Sequence, residues 1–184
     1  MIEVQVPDDL GDLLDESASR AQQGPWADRV FALTRLFIGW TFLWAFLDKT
    51  FGLGFATEDA DAWVNGGSPT NGFLSFATKG PLDGFYQSFA GDAWADWLFM
   101  IGLAGIGVAL ILGIGMRIAA ASGALLLVLM WSAALAPDNN PFMDDHLIEA
   151  AVLVGLALIG AGDTWGFGKV WKKLPLVKRY PALI

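Results

Sequence analysis

Apolar residues along this chain gather into four long blocks, and the charges are largely confined to the segments between them. About 20 apolar residues in a helix cross a hydrocarbon core of roughly 30 Å. The blocks lie near residues 29–48, 94–115, 117–136 and 145–162, and each predicts a transmembrane helix. Only Gly113-Ile114-Gly115-Met116-Arg117 separates the second from the third, which predicts a tight helical hairpin. The segment from Thr50 to Ala93 is too long for a plain turn. Its Phe73, Phe76, Phe85, Tyr86 and Phe89 would be wasted in a solvated loop, so short helices are expected there, capping the outer face. The expected fold is an all-α integral membrane protein. It is a four-transmembrane-helix bundle with an outer loop containing short helices. An acidic N-terminal tail (1–28) precedes the membrane domain (29–164), and a basic C-terminal tail (165–184) follows it. Leu10, Leu13 and Leu14 predict a short amphipathic helix in the N-terminal tail.

Composition agrees with this pattern. Of 184 residues, 55% are hydrophobic and 16% are charged, which departs from soluble averages towards a membrane protein. The length suits a single domain. The net charge of -8 therefore says little about a soluble partner, and no nucleic acid is expected. The absence of cysteine excludes disulfides, thiolate metal sites, iron–sulfur clusters and a cysteine nucleophile. One histidine cannot supply two haem ligands, and the scattered carboxylates form no metal-binding pattern. No metal site and no covalently held cofactor are expected. Any redox group would be mobile, a quinone for example, or carried by a partner. The stretch from Met1 to Asp9 has neither a basic region nor an apolar core and does not read as a signal peptide.

Lysine and arginine positions predict the orientation. Arg20 and Arg29, the hairpin's Arg117, and Lys169, Lys172, Lys173, Lys178 and Arg179 fall on one side of a four-span chain. The other side has Lys49 and Lys79 among many acids. Both termini are therefore expected in the cytoplasm, in a multi-pass protein of a prokaryotic plasma membrane. Trp94, Trp97, Trp165 and Trp171 lie near span ends, as interfacial anchors do. The basic C-terminal tail suits anionic lipid headgroups.

Helices in lipid associate through small residues that permit close approach. Gly102 and Gly105 occur in the second block. Ala109/Gly113, Ala119/Gly123 and Ala151/Gly155 follow at four-residue spacing, which places each pair on one helix face. These faces read as an ordinary bundle core or as a slot that admits a flat ring.

Direction along each span sorts the polar residues into two layers. Arg35 lies about 9 Å into the inner leaflet, at 1.5 Å per residue. It is expected to meet Asp163, Asp28, a backbone carbonyl or a lipid phosphate. Snorkelling and an interhelical lock are both open to it. Asp48, Lys49, Asp145, His146 and Glu149 form the outer layer. His146 and Glu149 are three apart and Asp145 and Glu149 four apart, so each pair shares a face. These three are the candidate catalytic residues. A buried carboxylate beside a histidine can accept and pass protons, and a quinone headgroup needs a donor and a proton acceptor at the bilayer edge. Asp48, Lys49, His146 and Glu149 are the candidate quinone edge. In the alternative, Asp144 and Asp145 cap the fourth helix and Glu149 pairs with Lys49. Arg35, Arg117 and Asp163 read as structural polar residues.

Three strings carry a family likeness. The first runs from Leu33-Thr34-Arg35-Leu36-Phe37-Ile38-Gly39 to Leu47-Asp48-Lys49. The second comprises Asn65-Gly66-Gly67-Ser68-Pro69-Thr70 and Thr78-Lys79-Gly80-Pro81, and the third is Asp145-His146-Leu147. Over about residues 29–172 the chain resembles the DoxX/DoxD-like membrane proteins. The resemblance implies a four-helix membrane bundle linked to quinone-dependent respiration, since that family includes the large subunit of thiosulfate:quinone oxidoreductase, which works with a second subunit. The sequence-level expectation is an accessory subunit, for assembly or stabilisation, of a respiratory electron-transfer membrane complex with other subunits. The alternatives are a quinone-reducing membrane subunit and, more remotely, a small transporter.

Overall fold

The structure is a computed structural model that describes residues 24–138 and 140–184. Arg20 and the helix expected around Leu10, Leu13 and Leu14 lie outside the described residues. The described chain is all-helical. Helix α1 (Pro25–Phe51) opens with proline in its first turn, where a missing N–H costs nothing. It stops at Gly52, which takes a left-handed φ of 62° and returns its N–H to the carbonyl of Asp48. Two short helices follow, α2 (Asn71–Phe76) and α3 (Asp83–Gln87), with 3-10 turns around them. Then come α4 (Ala93–Leu112), α5 (Met116–Ala133) and α6 (Asp145–Leu158). The short helices α7 (Gly168–Trp171) and α8 (Pro175–Arg179) complete the chain.

Helices α1, α4 and α5 are long and apolar enough to cross a membrane. The fourth apolar block is divided. Helix α6 has 14 residues, about 21 Å at 1.5 Å per residue. Gly160 then adopts a left-handed φ of 69°, and a 3-10 turn covers Ala161–Asp163.

Helix α1 lies along α4, and α5 lies along α6. Lighter contacts between α4 and α5 and between α1 and α6 close a four-helix bundle. Its core holds Ile38, Phe42, Met100, Leu103, Ile106, Leu110, Leu127, Leu153 and Leu156. Glycine makes the tight pairings possible. A Cβ on Gly39 would sit 2.9 Å from Leu110 Cβ, and one on Gly107 would sit 2.7 Å from the backbone nitrogen of Leu43. Across the second pair, a Cβ on Gly123 would sit 2.8 Å from Leu153 Cδ1. The expected Ala151/Gly155 face closes no such contact: Ala151 is exposed, and a Cβ on Gly155 would meet open space. Helix α6 turns Ala150, Leu153 and Leu156 inward instead, one step around the helix. Gly102 and Gly105 also face open space.

The bundle has two unlike ends. The start of α1, the α4–α5 hairpin and residues 160–184 share one, here the terminal end. Arg117 fixes this arrangement by donating its backbone N–H to the Ile184 carbonyl at 2.7 Å and its Nη1 to the Pro181 carbonyl at 2.9 Å. The segment expected as a basic tail is folded onto the bundle here, with Val177 completely buried. Residues 52–92, with α2 and α3, form a cap at the other end.

Candidate functional site

Arg35 occupies the terminal end and is 0% exposed. Its Nη1 donates to the carbonyls of Leu110 and Ile111, the latter at 3.0 Å. Its Nη2 donates to the carbonyls of Thr164 at 3.2 Å and Trp165 at 3.0 Å. The guanidinium therefore binds α1 to the end of α4 and to the chain leaving α6. The last carbonyls of a helix lack intrahelical donors and carry negative partial charge, which makes them a natural site for a buried cation. Glycine clears the space, since a Cβ on Gly113 or Gly166 would lie 2.9 or 3.2 Å from the guanidinium nitrogens. Of the partners expected for Arg35, backbone carbonyls are the ones used, so it is an interhelical lock and does not snorkel. Asp163 is held by Lys172 instead, at 2.8 Å.

Three anchors hold the cap at the far end. Asp48, 1% exposed, accepts from the backbone N–H groups of Phe55 at 3.3 Å and Ala56 at 2.9 Å. Asp96, buried in the first turn of α4, accepts from Ser68 Oγ at 2.9 Å, Thr70 N at 3.0 Å and Thr70 Oγ1 at 2.6 Å. Lys79 donates its backbone N–H to the Ala133 carbonyl at 2.9 Å and pairs its Nζ with Asp138 at 2.6 Å. A Cβ on Gly80 would collide with the Leu135 carbonyl oxygen. Residues 68–70 and 79–80 fasten the cap to α4 and α5.

The expected outer layer does not come together as one group. Asp144 takes the N-cap position of α6, accepting from the Leu147 N–H at 3.4 Å, and its other oxygen lies 2.7 Å from His146 Nδ1. His146 is thus engaged with the cap residue. Asp145 is exposed and Glu149 half-buried. Among the described residues, neither Glu149 nor Lys49 makes a hydrogen bond or ion pair, so the expected Lys49–Glu149 pair is not formed. Asp48 spends both oxygens on backbone, because the chain leaving α1 turns back over it. No three His, Asp or Glu side chains among the described residues group as metal ligands would.

Lys49 instead lines a chamber of about 500 Å³ bounded by α4, α5 and the cap. Pockets that take cofactor-sized molecules span roughly 300–1,000 Å³ and are mostly apolar. Helices α4 and α5 pack together more lightly than α1 with α4 or α5 with α6, and both line the chamber. Leu98, Phe99, Gly102 and Ile106 of α4 face Ser122, Leu126, Leu129 and Met130 of α5. The roof is Phe73, Phe85, Tyr86 and Phe89, with Trp94 beside it. Phe89 meets Tyr86 at 6.0 Å and Trp94 at 5.3 Å between ring centroids. Tyr86 and Ser132 share a hydrogen bond of 2.6 Å that ties the roof to α5. Leu98, Leu125 and Leu129 line the chamber yet are exposed, so its mouth is apolar.

Of the expected quinone edge, then, Lys49 alone reaches this chamber, whereas Asp48, His146 and Glu149 do not line it. The cap aromatics and Gly102 have a place in it. Asp96 and Thr70 were not among the candidates. The available signal was an acid one turn into an apolar helix, downstream of Ser68-Pro69-Thr70. No family model, curated protein or solved structure matches the chain.

Proposed function

We propose that the chain is a quinone-binding membrane subunit of a respiratory electron-transfer complex in a prokaryotic plasma membrane, of the DoxX/DoxD-like kind. The observation that carries this reading is the apolar chamber between α4 and α5. It has the volume for a substituted ring and the start of a tail, aromatic rings on its roof, one cation on its wall and a mouth among exposed leucines. A lipid-soluble ring reaches such a mouth from the bilayer. The electron donor's cofactor would sit on a partner subunit. In this reading α6 and its closing 3-10 turn make a fourth crossing, and both termini are cytoplasmic. The grouping of Arg29, Arg117, Lys169, Lys172, Lys173, Lys178 and Arg179 at the terminal end supports that orientation.

Gly102 provides the test. A side chain there projects into open space, so Gly102→Leu fills the chamber without a backbone clash. A short-chain quinone should quench tryptophan fluorescence of the purified wild type saturably, since Trp94 lines the site. Gly102→Leu should weaken that binding at least about tenfold, a loss of about 1.4 kcal/mol, with helix content unchanged. No saturable quenching in the wild type would sink the proposal.

A second reading, an accessory subunit that stabilises a complex, is favoured by Arg35, whose whole polar capacity in use serves to hold the bundle together. Recovery of redox-active partner subunits in mild detergent, together with no quinone binding by the wild type, would select it.

A further inference from the structure

We infer that Lys49 makes the chamber selective for a ring ligand in its anionic form, as a deprotonated hydroxyquinone or quinol. The inference rests on the quinone reading and names the redox and charge form that the site prefers. The polar groups along the wall are already engaged. Thr70 gives its hydroxyl to Asp96, Ser122 gives its hydroxyl to the Ile118 carbonyl, and Tyr86 is bonded to Ser132. Asp48, next in the chain, is committed to the N–H groups of Phe55 and Ala56. Lys49 is left half-buried against an apolar chamber without an ion-pair partner among the described residues. An ammonium in such surroundings is stabilised most by a negative oxygen brought by the ligand, because charge-assisted hydrogen bonds are about twice as strong as neutral ones. A neutral quinone carbonyl would satisfy it only in part. Flat aromatic and leucine surfaces around it suit a ring better than a flexible chain alone.

The test uses the full-length protein in mild detergent at neutral pH and three probes. They are an alkylated naphthoquinone whose ring hydroxyl is ionised, its methyl isostere, which is neutral, and dodecanoate. Titration of tryptophan quenching, with dodecanoate read by displacement, should show the ionised quinone binding on the order of tenfold more tightly than the isostere. Lys49→Met should abolish that preference, and Lys49→Arg should retain it. The wild-type preference is informative even if a variant fails to fold. Equal affinities of the wild type for both quinones overturn the role of Lys49 while leaving the chamber as a quinone site. Dodecanoate binding as tightly as the ionised quinone overturns the ring assignment. Saturable binding by neither quinone overturns the chamber reading and this inference with it.

Discussion

A guanidinium that meets four carbonyls on two separate segments cannot be replaced by a point charge. Arg35 presents a planar fork of donors, and its two terminal nitrogens serve Leu110 and Ile111 on one side and Thr164 and Trp165 on the other. Lysine has one head on a flexible stem and reaches one of these sets. Trp165 shows how much the arrangement constrains the chain. It adopts a φ of 52°, a region that a large side chain enters only under constraint, and its carbonyl is one of the four acceptors. Hydrogen bonds to a charged group contribute about 1.5–3 kcal/mol each. Arg35→Lys should therefore cost about 2–3 kcal/mol, which lowers the melting temperature in mild detergent by roughly 5–10 °C. An unchanged melting temperature would show that the carbonyl cluster does not depend on the fork.

Between elements, the spacing of glycines separates two kinds of surface. Gly107 and Gly39 admit the neighbouring backbone, and Gly102 leaves a space. Five residues apart on one helix, Gly107 and Gly102 should respond oppositely to a larger side chain. Gly107→Val forces a Cβ to within 2.7 Å of Leu43 N, where only backbone could move. That change should separate α1 from α4 and cost about 1–3 kcal/mol, as overpacking does, while Gly102→Leu should leave the melting temperature at or above that of the wild type. Matching losses in the two variants would contradict the distinction. The short cap helices show a different balance. Helices α2 and α3 have only 6 and 5 residues, far below the roughly 12–15 needed for an isolated helix in water. They persist because Leu74 and Tyr86 are buried against Ala133 and because Asp96 and Lys79 fasten the loops on either side.

For the whole molecule, the proposed crossing of α6 and the proposed orientation are open to one experiment. The chain has no cysteine, so single cysteines can be placed without background. With a membrane-impermeant thiol reagent on intact cells, Glu58→Cys in the cap should label and Lys178→Cys in α8 should label only after permeabilisation. Labelling of both from outside would mean that α6 does not cross, and the reverse pattern would invert the protein.

Several features of this protein are already determined by local sequence. Apolar block length predicts helices, and three of the four blocks are helices of spanning length and hydropathy. Glycine and proline mark where α1 and the hairpin start and stop, because φ preference belongs to the residue itself. Phenylalanines out of place in a polar loop point to the short helices of the cap. Direction along the first span places Arg35 near one end and excludes Glu149 as its partner, which is where the structure has it. Tertiary structure alone decides what these residues meet. The acceptors of Arg35 lie 75 to 130 residues away along the chain and are backbone atoms, which no side-chain pattern identifies. The inward face of α6 is chosen by its fit against Gly123, and small residues at four-residue spacing occur on more than one face. The chamber is lined by residues of α1, α4, α5 and the cap, which lie far apart along the chain. Hydropathy and helical period are properties of a neighbourhood in sequence. A cavity, and the lysine that lines it, are properties of α1, α4, α5 and the cap packed together.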